Sequence, residues 1–145
     1  MRSLILSILF FGFFGTAAEL LFLQHIGSLW ELIPVVLIGV NLIIITWHAI
    51  TRHPASVRGV QVVMGLCLIA GVTGIALHYQ SSMEFKLEIN PALTGWALFW
   101  AVMSAKTPPA LAPGVMIQLG LLGLAYSYHH PLVTPTFKNE GEVNE

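Results

Sequence analysis

Residues 32–50 read LIPVVLIGVNLIIITWHAI, nineteen positions without a single Asp, Glu, Lys or Arg. A helix needs about 20 predominantly apolar residues to cross a bilayer, within a range of roughly 17–25. This stretch meets that requirement and decides the fold class, because a soluble domain could not cover it with polar surface. Outward from it, the run from about Leu4 to Leu23 and the run from about Val60 to His78 have the same character. Two shorter apolar runs follow, from about Pro91 to Ala105 and from about Gly114 to Tyr128. The expectation is an all-α, small polytopic transmembrane helical bundle of about five spans. Four spans, or three spans plus a re-entrant helical hairpin, are the alternatives.

Composition supports the same class. Of 145 residues, 56% are hydrophobic and 9% charged, against roughly 25% charged in soluble domains. The formal net charge is -1, which gives no electrostatic footprint for nucleic acid. Asp is absent, and the lone Cys67 can close no internal disulfide and build no cysteine–zinc cluster. The expected partners are the lipid bilayer and other membrane subunits or a second copy of the chain.

The punctuation is set by proline. Thr107-Pro108-Pro109 should end the fourth helix and Pro113 should start the fifth, since proline clashes inside a helix but suits its first turn. With the N-terminus in the cytoplasm and five spans, Arg2, Arg52, Arg58 and Lys106 fall inside, and Lys86 and Lys138 outside. That orientation satisfies the positive-inside rule. The expected location is a bacterial cytoplasmic membrane, multi-pass, with the N-terminus cytoplasmic. Thr16-Ala17-Ala18 has the small residues of a signal-peptide cleavage region, but the apolar run continues through Leu20 to Leu23 and favours an uncleaved span. Trp30, Trp47, Tyr79, Tyr126 and Tyr128 fall toward span ends, where aromatic rings anchor, and Trp96 and Trp100 share one stripe of the fourth helix.

Between the third and fourth runs, Met83, Phe85, Leu87 and Ile89 alternate with Glu84, Lys86, Glu88 and Asn90. Period two reads as a half-buried extended segment along the outer rim. Residues 1–130 form one transmembrane domain, and residues 131–145 a polar tail, expected to be disordered.

Polar groups within spans are costly and usually face the bundle interior. Glu19 shares a helical face with Gly12 and Gly15, and His78 one with Cys67, Gly71 and Gly74. Small residues let helices approach closely in lipid, so these two faces are expected to meet, with Glu19 and His78 as a buried polar pair. In five-span topology, Glu19, His25, Glu31, His78, Glu84, Glu88, His129 and His130 gather at the outer face, and only His48 and His53 at the inner one. Glu19, His25, His78, Glu84 and Glu88 are the metal-ligand candidates there, because histidines and carboxylates bind zinc, copper or iron. Asn41 and His48, seven apart on one face, and Gln118 are expected as interhelical hydrogen-bonding groups. Gly114, Gly120 and Gly123 suggest close packing of the last helix.

No nucleophile elbow, HExxH or nucleotide-binding motif is present. The chain therefore reads as a small structural or accessory membrane component more than as an enzyme, with no cofactor expected. The alternatives are a proton-coupled transporter using Glu19, and a metal- or haem-binding redox component built on the outer histidines and glutamates.

Overall fold

The computed structural model describes residues 1–22, 29–105 and 109–134, with the backbone alone for 29–31. These residues are all-helical. Five helices follow in order: α1 (Arg2–Phe22), α2 (Leu29–Thr51), α3 (Pro54–Ile89), α4 (Gly95–Met103) and α5 (Leu111–Ser127). The expected helical bundle is present, but the helices are unequal. α1, α2 and α3 are long and apolar enough to cross a membrane. α5 has 17 residues and rises about 25 Å, near the hydrocarbon thickness of about 30 Å. α4 has nine residues and rises only about 14 Å. The run from Pro91 to Ala105 is cut down at its start. Asn90, before Pro91, is extended, as the residue before proline must be, and Gly95 takes a positive φ of 52° that only glycine adopts without strain.

α1, α2, α3 and α5 form a closed ring in which each packs on the next, and α5 packs back on α1. α1 and α3 sit diagonally, with α5 between them on one side and α2 on the other. The core joins Leu9, Phe13 and Leu20 of α1, Ile38 and Ile45 of α2, Val60, Met64 and Cys67 of α3, and Met116, Leu119 and Tyr126 of α5. Among the described helices, α4 packs only on α3, where Phe99 lies 6.2 Å from Tyr79 and stacks on Trp96 at 5.0 Å. Trp96 and Trp100 are exposed, so they do not pack inside a span.

The α3–α5 contact is the closest. A Cβ at Gly71 would meet the Pro113 carbonyl oxygen at 2.8 Å, and one at Gly120 would meet the Met64 carbonyl oxygen at 3.0 Å. Gly123 faces the Met64 side chain. The expected close packing of the last helix is therefore met through Gly120 and Gly123. The expected meeting of the α1 and α3 faces is not: Gly12 faces Leu119 of α5, and Gly71 and Gly74 face α5 as well. The buried stripe of α1 is Leu9, Phe13, Thr16 and Leu20, which leaves Gly15 and Glu19 exposed. In lipid both faces of a helix are apolar, so the hydrophobic pattern could not show which one turns inward.

Residues 80–90 also depart from expectation. They continue α3 to Ile89 as helix rather than forming an extended rim. No proline or glycine interrupts residues 75–90, and Met, Glu, Lys and Leu are strong helix formers. Gln80 Nε2 donates to Glu84 Oε1 at 3.1 Å one turn on. The resulting 36-residue helix is about 54 Å long.

Candidate functional site: the basic end of the bundle

Because α4 is short, the direction of α5 is the reverse of that expected from five crossings. The start of α1, the end of α2, the start of α3 and the end of α5 all lie together. Arg2 establishes this directly: its Nη2 donates to the carbonyls of His129 at 2.9 Å and Tyr128 at 3.5 Å. Those are carbonyls at the C-terminal end of α5, where a helix concentrates partial negative charge. His129 and His130 therefore belong to the end that carries Arg2, Arg52 and Arg58, not to an outer rim.

At this end a buried chain of hydrogen bonds runs across the bundle. Ser56 is fully buried, and its hydroxyl donates to the His53 carbonyl at 2.7 Å. With its proton committed, Ser56 Oγ can only accept from His48 Nδ1, 2.7 Å away. That fixes neutral His48 with its proton on Nδ1. His48 Nε2 then accepts from the Tyr126 hydroxyl, also at 2.7 Å. The direction runs from Tyr126 on α5 through His48 on α2 to Ser56 on α3. It joins α2 to α5 across the diagonal of the ring, where their backbones do not pack.

His130 closes the cluster. Its ring lies 5.3 Å from that of His48 and 5.5 Å from that of Tyr126. Its Nδ1 accepts from the Leu132 amide at 3.3 Å, so the neutral ring carries its proton on Nε2. Burial, and then the Arg2 guanidinium, hold its pKa below the usual histidine value. Local backbone supports the arrangement. His53 caps α3 by accepting from the Ala55 amide at 3.1 Å, with Pro54 in the first turn. Arg52 and His129 take positive φ values of 47° and 43° just past the ends of α2 and α5. Non-glycine residues held there cost about 1–3 kcal/mol and cluster at functional sites.

Around these groups lies a cleft of about 570 Å³ lined by Arg2, Ser7, His48, Arg52, Tyr126 and His130, among others. Arg2 Nη1 is enclosed but has no hydrogen-bond partner among the described residues. Deeper in the bundle, Asn41 Nδ2 donates to the Leu37 carbonyl at 2.8 Å and to Cys67 Sγ at 3.2 Å, while its Oδ1 has no partner among the described residues. Asn41 and His48 thus do join helices, as their shared face suggested. Gln118 is exposed and makes no such bond among the described residues.

The outer candidates are dispersed. Glu19 and His78 are both exposed, on helices that do not pack together, and no hydrogen bond or ion pair links Glu19 to His78. Glu84 and Glu88 are exposed on the extension of α3. His25, Lys106, Pro108, the Glu31 side chain and the tail from residue 135 lie outside the described residues. Among the described residues, no three His, Cys, Asp or Glu side chains come together as a metal-ligand set.

The sequence reading missed Ser56 and the meeting of Tyr126 and His130 with His48. His48 and Ser56 stand eight apart across the Arg52–His53 turn between α2 and α3, and that was the available signal. No protein-family model, curated protein or solved structure matches the chain.

Proposed function

We propose that this chain is an integral membrane protein serving as a structural or accessory component of a membrane assembly. It crosses the bilayer four times, through α1, α2, α3 and α5, with both ends on the cytoplasmic side. The observation that carries the reading is the division of its side chains. Large apolar groups stand exposed along the outside of the spans, among them Phe11, Ile43, Val62 and Ile69, a surface that needs lipid or protein cover. The buried polar groups His48, Ser56 and Tyr126 are occupied with one another. Exposure of Glu19 also supports this reading over a carrier, which needs an enclosed titrating carboxylate. Arg2, Arg52 and Arg58 at one end favour a cytoplasmic position for that end. The exposed Trp96 and Trp100 suit α4 to lying in the opposite headgroup layer.

Topology reporters fused separately to each terminus test the crossing number. Both should report cytoplasm, and reporters on opposite sides would refute four crossings. Purification in mild detergent from the native host should bring down a stoichiometric membrane partner or a defined homo-oligomer. A lone monomer would refute the accessory role.

A further inference from the structure

The basic cleft has an apolar continuation. A furrow of about 240 Å³ runs between α1 and α2, lined by Leu6, Phe10, Phe11, Ile45 and Ala49. Leu6, Ser7 and Ala49 line both spaces, so cleft and furrow adjoin along these residues. One end offers two guanidinium groups and the Nε2–H of His130. The other is lined by hydrocarbon apart from the hydroxyls of Ser7 and Thr46, which donate to the Ser3 and Leu42 carbonyls of their own helices, and has buried Ile45 in its wall. From this layout we propose that the basic end of the bundle binds one anionic phospholipid. Its phosphate lies between Arg2 and Arg52, and an acyl chain lies in the α1–α2 furrow.

The chemistry of each part fits. Arg2 already spends Nη2 on the carbonyls that end α5, which holds its guanidinium in the wall of the cleft. Guanidinium forks match phosphate geometry. Arg52 makes no side-chain hydrogen bond among the described residues, and its strained backbone holds it at the cleft edge. Basic pockets between transmembrane helices on the cytoplasmic side are suited to acidic headgroups. The neutral tautomers assigned above leave His48 without a free N–H, so His130 is the imidazole that faces the anion. Free phosphate shares the headgroup chemistry but has no use for the furrow.

The inference rests on the membrane reading, and the test separates the two. If the chain is recovered soluble without detergent, the membrane reading fails. If it requires detergent, the lipid site is tested on the full-length protein. Native mass spectrometry in detergent would compare retention of phosphatidylglycerol, phosphatidylcholine and inorganic phosphate. Phosphatidylglycerol should be retained preferentially. Each arginine is worth about 1 kcal/mol toward an acidic headgroup, so Arg52→Gln should weaken retention about fivefold and Arg2→Gln/Arg52→Gln about 25-fold. Arg52→Gln alone keeps the test decisive if loss of the Arg2 cap unfolds α5. Ala49→Phe should block the junction and abolish the preference with no change in charge. Arg58→Gln, at the same end but outside the cleft, should change nothing. Equal loss in Arg58→Gln and Arg52→Gln would reduce the effect to diffuse surface charge and overturn the site. So would wild-type retention in both Arg52→Gln and Ala49→Phe. Phosphate binding as tight as the lipid's, unaffected by Ala49→Phe, would assign the cleft to a soluble anion and overturn the lipid.

Discussion

Replacing Tyr126 with Phe removes the hydroxyl at the α5 end of the cross-bundle chain and keeps the ring that packs in the core. The lost bond is the 2.7 Å donation to His48 Nε2. Moving the His48 proton to Nε2 gives no relief. It would leave a buried donor in place of a buried acceptor, and it would force Ser56 to turn its hydroxyl from the His53 carbonyl. Two magnitudes bound the cost. A buried acceptor stripped of its partner loses about 1–3 kcal/mol in a soluble interior. Interhelical bonds in membrane proteins average about 0.6 kcal/mol and reach about 1.7. The adjoining cleft admits water that can take the place of the hydroxyl, which limits the loss to about 1–1.5 kcal/mol. The assay is unfolding in mixed micelles by increasing dodecyl sulfate, with Tyr128→Phe as control because Tyr128 is exposed. Ser56→Ala combined with Tyr126→Phe should cost less than the sum of the two, since both act through His48. If Tyr126→Phe unfolds at the same point as Tyr128→Phe, the chain does not hold α2 to α5 and the argument is wrong.

Two other measurements probe the packing and the titration. Gly71→Ala should destabilise by about 1–3 kcal/mol, because its methyl would meet the rigid Pro113 carbonyl at 2.8 Å. Gly65→Ala meets nothing within 4 Å and should gain about 0.5–1 kcal/mol in the same unfolding series, and equal effects at the two glycines would contradict the α3–α5 contact. His130 has a lowered folded pKa, so the unfolded chain takes up its proton more readily. Its contribution to stability is therefore present above pH 6.5, the ordinary histidine value, and is lost as pH falls through 6.5 toward the folded value. His130→Gln should flatten that part of the stability–pH curve, and an unchanged curve would count against the burial of this ring.

The long apolar runs were legible from the sequence because lipid demands continuous hydrophobicity, and α1, α2 and most of α3 follow them closely. The end of α3 was not. The alternation from Met83 to Ile89 imitates a strand, but helix propensity and a helix already under way prevail over a period-two pattern with no sheet to join. The candidate site was hidden by parity. A 15-residue apolar run from Pro91 to Ala105 looks like a short span, and counting it as one sends Tyr126 and His130 to the opposite end of the bundle from Arg2. Pro91 and Gly95 together held the information that the helix would be cut to nine residues. Gly12, Gly71, Gly74, Gly120 and Gly123 are contact residues as expected, but the α1 face with Gly15 and Glu19 turns outward and the partner of the α3 face is α5, since glycine spacing does not show which helix approaches.

The uninterrupted length of α3 gives the molecule a lever arm. Beyond His78, where its apolar run ends, the helix continues to Ile89, about 16 Å further. A tilt of about 20°, ordinary for a membrane helix, would carry the free tip sideways by about 6 Å. Among the described helices, α4 packs on that helix alone and would travel with it. A thicker or thinner bilayer, by changing the tilt, would thus be translated into the position of an aromatic platform on the far side of the membrane from Arg2.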